Sequence, residues 1–148
     1  MFNQEQWDQL LTSFLEEARE LIQNEESAIL ALDEQEVDED TIHGLFRNMH
    51  TLKGSAGLFS LDAFVHFAHE MENLIMRVRD SELILSPEMI SSLLKALNVL
   101  NLALNGLEDT GELPAIDRDN SELLTTLQSF TKRSDSVSVS IENEEVDI

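Results

Sequence analysis

The chain has 148 residues, 42% of them hydrophobic, and sets 30 acidic side chains against 9 basic ones, for a formal charge of -21 and a pI near 4.2. That balance excludes two separate cores and excludes the basic surface that gripping nucleic-acid phosphates requires. With no cysteine, disulfide scaffolds and thiolate metal sites are excluded as well. The longest uncharged apolar stretch, Ala96 to Leu107, has 12 residues, where a membrane span needs about 20. The N-terminus lacks the basic and apolar blocks of a signal peptide. One domain over residues 1–133 is expected, followed by a disordered acidic linker or tail over 134–148. The expected setting is the cytoplasm, with no nucleic acid and no membrane as partner.

Strand signals are weak and the apolar residues recur at helical spacing. Trp7, Leu10, Leu11, Phe14, Ala18, Leu21, Ile22, Ala28, Ile29 and Leu32 trace one face of a long first helix. The run 33–40, DEQEVDED, reads as a charged turn whose late aspartates cap the next helix. Ile42, Leu45, Met49, Leu52 and Ala56 form the stripe of that second helix. Ser60 or Asp62 is the expected cap of a third, with Phe64, Phe67, Ala68, Met71, Leu74, Ile75 and Val78 facing inward. Ser86-Pro87-Glu88 is a strong helix start, with a cap, a proline at the first position and an acid at the positive end of the dipole. Ile90, Leu93, Leu94, Leu97, Leu100, Leu104 and Leu107 carry that fourth helix, and Gly111 and Pro114 follow its end. A shorter fifth runs from about Ser121 to Lys132 with Leu123, Leu124, Leu127 and Phe130. Long helices on short loops predict an all-α antiparallel four-helix bundle with an additional C-terminal helix.

Charge is spread unevenly. From Thr41 to Leu61 no acid occurs in 21 residues, while Arg47 and Lys53 are present. The window is either a buried helix that excludes charge or an island on which something anionic sits.

Four histidines, His43, His50, His66 and His69, are the candidate reactive groups. At 100° per residue, His50 falls about 120° from the core direction of its helix, on the solvent side. Lys53, Gly54 and Gly57 follow at i+3, i+4 and i+7, on or near the same face. Two helical glycines cost about 1 kcal/mol each relative to alanine, and a plain solvated face does not need them. They leave space above the imidazole, or else they permit close helix packing. On the third helix Glu72 falls about 100° from the core centre and His69 about 160°. Glu72 is therefore a flank residue, at a height comparable with His50 across a short antiparallel turn. A carboxylate on one imidazole nitrogen fixes the tautomer and raises the basicity of the other. With a cation beside it, such a histidine has what phosphoryl acceptance needs.

The segment from Leu45 to Gly57, LFRNMHTLKGSAG, closely resembles the signature of the histidine-containing phosphotransfer (HPt) family. Within that family it is most similar to the N-terminal phosphotransfer domain of CheA-type chemotaxis histidine kinases. The H-T-L-K-G-S-A-G core is highly specific, the later His69-Glu70-Met71-Glu72 falls at the family's spacing, and the likeness covers about residues 5–133. The resemblance implies His50 as the residue phosphorylated, through Nε2, and Glu72 as the partner of Nδ1. It implies Lys53 and His69 as supporting polar residues and Gly54 as the clearance residue. It further implies an ATP-binding histidine kinase domain as donor and a response-regulator receiver aspartate as acceptor. ATP and Mg²⁺ then belong to those partners, and the expectation is that this chain alone is no enzyme but a fragment of a multidomain kinase; it has no G-x-x-x-x-G-K and no kinase-type glycine loop. One departure is visible, Ser60-Leu61 where the family usually has Gly-Phe, and it bears on the turn rather than the site. Two other readings compete with the relay module. One is a helical adaptor without chemistry. The other is a metal-binding bundle using His66, His69, Glu70 and Glu72, for which the Glu-x-x-His pairs of di-iron bundles are absent.

Overall fold

The computed structural model describes residues 3–34 and 38–132, so the expected tail over 134–148 lies outside the described residues. All regular structure among them is helical. Helix α1 spans Gln4–Glu34, α2 Glu39–Leu58, α3 Asp62–Arg79 and α4 Pro87–Thr110. A single turn, α5 at Ile116–Asp119, precedes α6 at residues 121–132. Helix α2 packs most extensively on α3 and α1 on α4, while α1–α2 and α3–α4 contacts close the ring into a four-helix bundle. The pairs run antiparallel. Arg19 in the first half of α1 bonds Asn105 and Glu108 near the end of α4, and His50 of α2 meets Glu72 of α3 across their short turn.

The helix ends follow local chemistry. Asn3 and Gln6 cap α1 reciprocally, each side chain accepting the other's backbone N–H at 2.8 and 3.0 Å. Asp38 caps α2 by accepting from the Asp40 amide, as the acidic run predicts. Ser86 caps α4 through the Met89 amide, with Pro87 in the first turn, and Gly111 ends that helix in the left-handed region at φ 78°. The expected cap of α3 is corrected. Neither Ser60 nor Asp62 caps it; Leu61 holds the position, without a side-chain bond to the helix.

The reason lies in how α2 ends. The Leu61 amide donates to Ala56 O and the Ser60 amide to Gly57 O, the paired bonds of a Schellman motif. That motif needs a left-handed residue at the Ser60 position, and Ser60 has φ 57°. It also buries the next residue against the helix it closes, and Leu61 is buried with Ala56. Ser81 repeats the left-handed position and the paired backbone bonds at the end of α3, with φ 62°.

The core follows the stripes closely in α2, where the five predicted residues are the five buried ones. In α3 the predicted set is buried except Val78, which packs partly covered against the core, and Glu72 joins it. Leu124, Leu127 and Phe130 of α6 enter the same core. In α1, Trp7 and Leu10 lie at the end of the bundle and stay 38% and 40% exposed. Trp7 rests on Phe59 of the turn, ring centroids 5.0 Å apart. Leu15 and Glu25 are buried in their place. By length and composition α4 would suffice to cross a membrane, but its Ala96, Leu97, Leu100, Ala103 and Leu104 are the centre of this bundle. Gly106 lets the chain after α4 fold back on it, since a Cβ there would meet Pro114 Cγ at 2.6 Å.

Candidate functional site

The α2 stripe that buries Met49, Leu52 and Ala56 turns His50 outward, and its side chain is 66% exposed. Glu72 leaves the flank of α3 toward it and is almost covered, with 11% of its side chain exposed. His50 Nδ1 and Glu72 Oε2 are 2.8 Å apart. Lys53, one turn on from His50, donates from Nζ to the other carboxylate oxygen at 2.7 Å. One carboxylate from α3 thus holds two residues of α2.

Burial acts to raise the Glu72 carboxyl, but the hydrogen bonds from Lys53 and His50, with their positive charge, outweigh it and bring it below its ordinary value. Glu72 is therefore ionised and only accepts, so His50 donates from Nδ1. The neutral ring then carries its free lone pair on Nε2, on the exposed edge. Lys53 has three donors and gives one to Glu72.

The glycines answer the question their spacing raises. A Cβ at Gly54 or at Gly57 would meet nothing within 4 Å. Among the described residues neither glycine serves packing, and the space beside His50 is open there. His69 lies exposed on α3, one turn before Glu72, and makes no hydrogen bond or ion pair with the site. His66 Nε2 lies 3.8 Å from Glu70, and among the described residues no three His, Asp or Glu side chains gather where a metal ion could be held.

Two contacts were not read from the sequence. The Phe46 ring stacks on the His50 imidazole, centroids 6.1 Å apart and planes 17° from parallel. The Arg79 guanidinium covers the Phe46 ring at 4.2 Å from its centroid. The i−4 spacing of Phe46 was the available signal for the first; nothing in the sequence marks the second.

Residues 9–110 match the model of the Hpt domain family. The chain belongs to the Hpt family. This Hpt domain is 27% identical over 127 residues to the sensor histidine kinase CheAY of Helicobacter pylori, covering 84% of this chain and 16% of that protein. To the chemotaxis protein CheA of Rhizobium meliloti it is 34% identical over 98 residues, covering 66% of this chain and 13% of that protein. The domain thus spans a small part of the length of the curated relatives it matches. Among solved structures it is similar to the phosphorylated P1 domain of CheA3 in complex with CheY6 from R. sphaeroides, with TM-score 0.80 and 25% identity over 86% of this chain and 98% of that one. A solution structure of the histidine phosphotransfer domain of CheA matches with TM-score 0.69 and 26% identity over 86% and 93%.

Proposed function

We propose that this Hpt domain is a phosphohistidine relay module of a chemotaxis-type two-component system, with His50 as its phosphoryl acceptor. The observation that supports this most is the triad of His50, Glu72 and Lys53, an exposed imidazole whose inner nitrogen is tied to an ionised carboxylate and whose outer nitrogen is free.

The Nε2 lone pair attacks the γ-phosphorus of ATP held by a kinase domain. The N–P bond forms as the bond to the β,γ-bridging oxygen breaks, and ADP leaves. The ring keeps its Nδ1 proton and gains positive charge, which Glu72 stabilises. Lys53, with donors to spare, faces the incoming phosphoryl oxygens. In the second transfer a receiver aspartate attacks the phosphorus, the N–P bond breaks, and its electron pair returns to Nε2. Gly54 keeps the approach clear for both partners, and His69 supports the polar rim. The bundle presents the group, while the partners bring ATP, Mg²⁺ and the rest of the transition-state electrostatics. The similarity to CheA and CheAY proteins several times longer supports a CheA-type histidine kinase as the parent.

Incubation with the cognate kinase domain and ATP tests this reading. Wild type incorporates acid-labile phosphate, His50→Gln incorporates none, and Glu72→Gln keeps its helical signal but labels about 10- to 100-fold more slowly. Equal labelling of wild type and His50→Gln overturns the proposal.

A further inference from the structure

Glu72 holds one edge of the His50 ring, but a single hydrogen bond to Nδ1 leaves the ring free to tilt about that contact. His50 is 66% exposed, so general packing does not restrain its faces. The contact made by one face is Phe46, one helical turn earlier, nearly parallel at 17° and 6.1 Å between centroids. That separation lies in the range of offset-stacked aromatic pairs. Phe46 in turn is covered on its ring by Arg79, at 4.2 Å. Arg79 comes from the last turn of α3, and its Nε is held by Asp80 Oδ1 at 3.0 Å. Two ties therefore join α2 to α3 on either side of His50, Lys53–Glu72 toward the turn and Phe46–Arg79 toward the other end.

The geometry points to Phe46 and Arg79 as positioning residues for His50, with Arg79 clamping the Phe46 ring and the Phe46 ring fixing the plane of the imidazole so that Nε2 keeps one direction. This rests on His50 being the phosphoryl acceptor. The effect is one of orientation. The Arg79 guanidinium over the Phe46 ring holds that ring in place, and Phe46 meets His50 as a flat wall. Orientation of a nucleophile lowers a barrier by removing unproductive poses. An aromatic pair of this kind accounts for about 2- to 10-fold in rate.

The test combines kinetics with imidazole ¹⁵N NMR of the neutral ring. Wild type is expected to show one Nδ1–H pattern for His50. Phe46→Leu keeps apolar volume and helix propensity but loses the flat face. It should shift that pattern toward a tautomer mixture and slow phosphoryl uptake from the cognate kinase domain about 2- to 10-fold. Phe46→Tyr should restore both readouts, and Arg79→Gln, which spares the apolar contacts, should move both in the direction of Phe46→Leu. Wild-type NMR and rate in both Phe46→Leu and Arg79→Gln overturn the inference. A slowed rate with an unchanged ring signal overturns it too, since Phe46 then serves docking. Failure of wild type itself to label counts against the relay reading instead, and the NMR comparison still decides whether the stack sets the ring.

Discussion

At the scale of single residues, one carboxylate ties the candidate site together. Glu72 is nearly buried, yet its charge is kept because two donors from α2 meet its two oxygens. His50 was legible because its angle on α2 follows from the helical step, and Glu72 because a flank position on an antiparallel neighbour reaches across. The Lys53–Glu72 bond was not legible, since two long side chains on different helices have many partners open to them and only the backbone spacing selects one. Gly54 separates stability from function. Its Cβ position is empty, so Gly54→Ala should raise the unfolding free energy by about 1 kcal/mol, measured by denaturant melts, and should slow transfer to the partner domains. A variant that is both more stable and equally fast would remove the clearance role.

At the scale of elements, stripes were most legible in α2, whose whole predicted face is buried. They failed at the end of α1, where Trp7 and Leu10 reach the rim of the bundle and lose their cover. The turn between α2 and α3 was misread in its cap because the backbone bonds of a Schellman motif, rather than a side chain, close that end. Its left-handed position carries Ser60, and a left-handed non-glycine residue is strained by about 1 kcal/mol. Ser60→Gly should therefore gain stability, the gain being offset in part by the freer unfolded chain. An increase in melting temperature with unchanged phosphoryl uptake is expected, and a loss of stability would show that the φ 57° geometry carries no strain.

At the scale of the molecule, the -21 charge conceals two exceptions. One is the acid-free window from Thr41 to Leu61, one face of which is buried in the core while the opposite side carries His50 and the open glycines. The other is Glu25, an acid wholly inside the bundle, with neither carboxyl oxygen meeting a donor at full hydrogen-bond geometry. It occupies a turn of the α1 stripe between Ile22 and Ile29, a position a reading by hydrophobicity passes over. Burial pushes its carboxyl up from 4.5 to about 8, and Asn48 across the α1–α2 interface offsets a smaller part. The folded state thus holds a proton that the unfolded chain has released. The contribution of Glu25 to stability is full below about pH 4.5, falls as pH rises through the window, and levels off above about 8. The slope within that window is about 1.4 kcal/mol per pH unit for this one proton. Glu25→Gln, which mimics the protonated form, should flatten that part of the stability profile between about pH 5 and 8 in denaturant melts. An unchanged slope would mean that Glu25 ionises in the bundle as it does in the unfolded chain.

The relay chemistry turns on which atom takes the phosphoryl group. Phosphorylating the ¹⁵N-labelled domain with its kinase domain and ATP, then reading ³¹P–¹⁵N couplings, locates it directly. The expected result is one phosphoramidate on Nε2 of His50, with Nδ1 still protonated toward Glu72. Phosphate on Nδ1, on another histidine or on an acid-stable oxygen ester would contradict it.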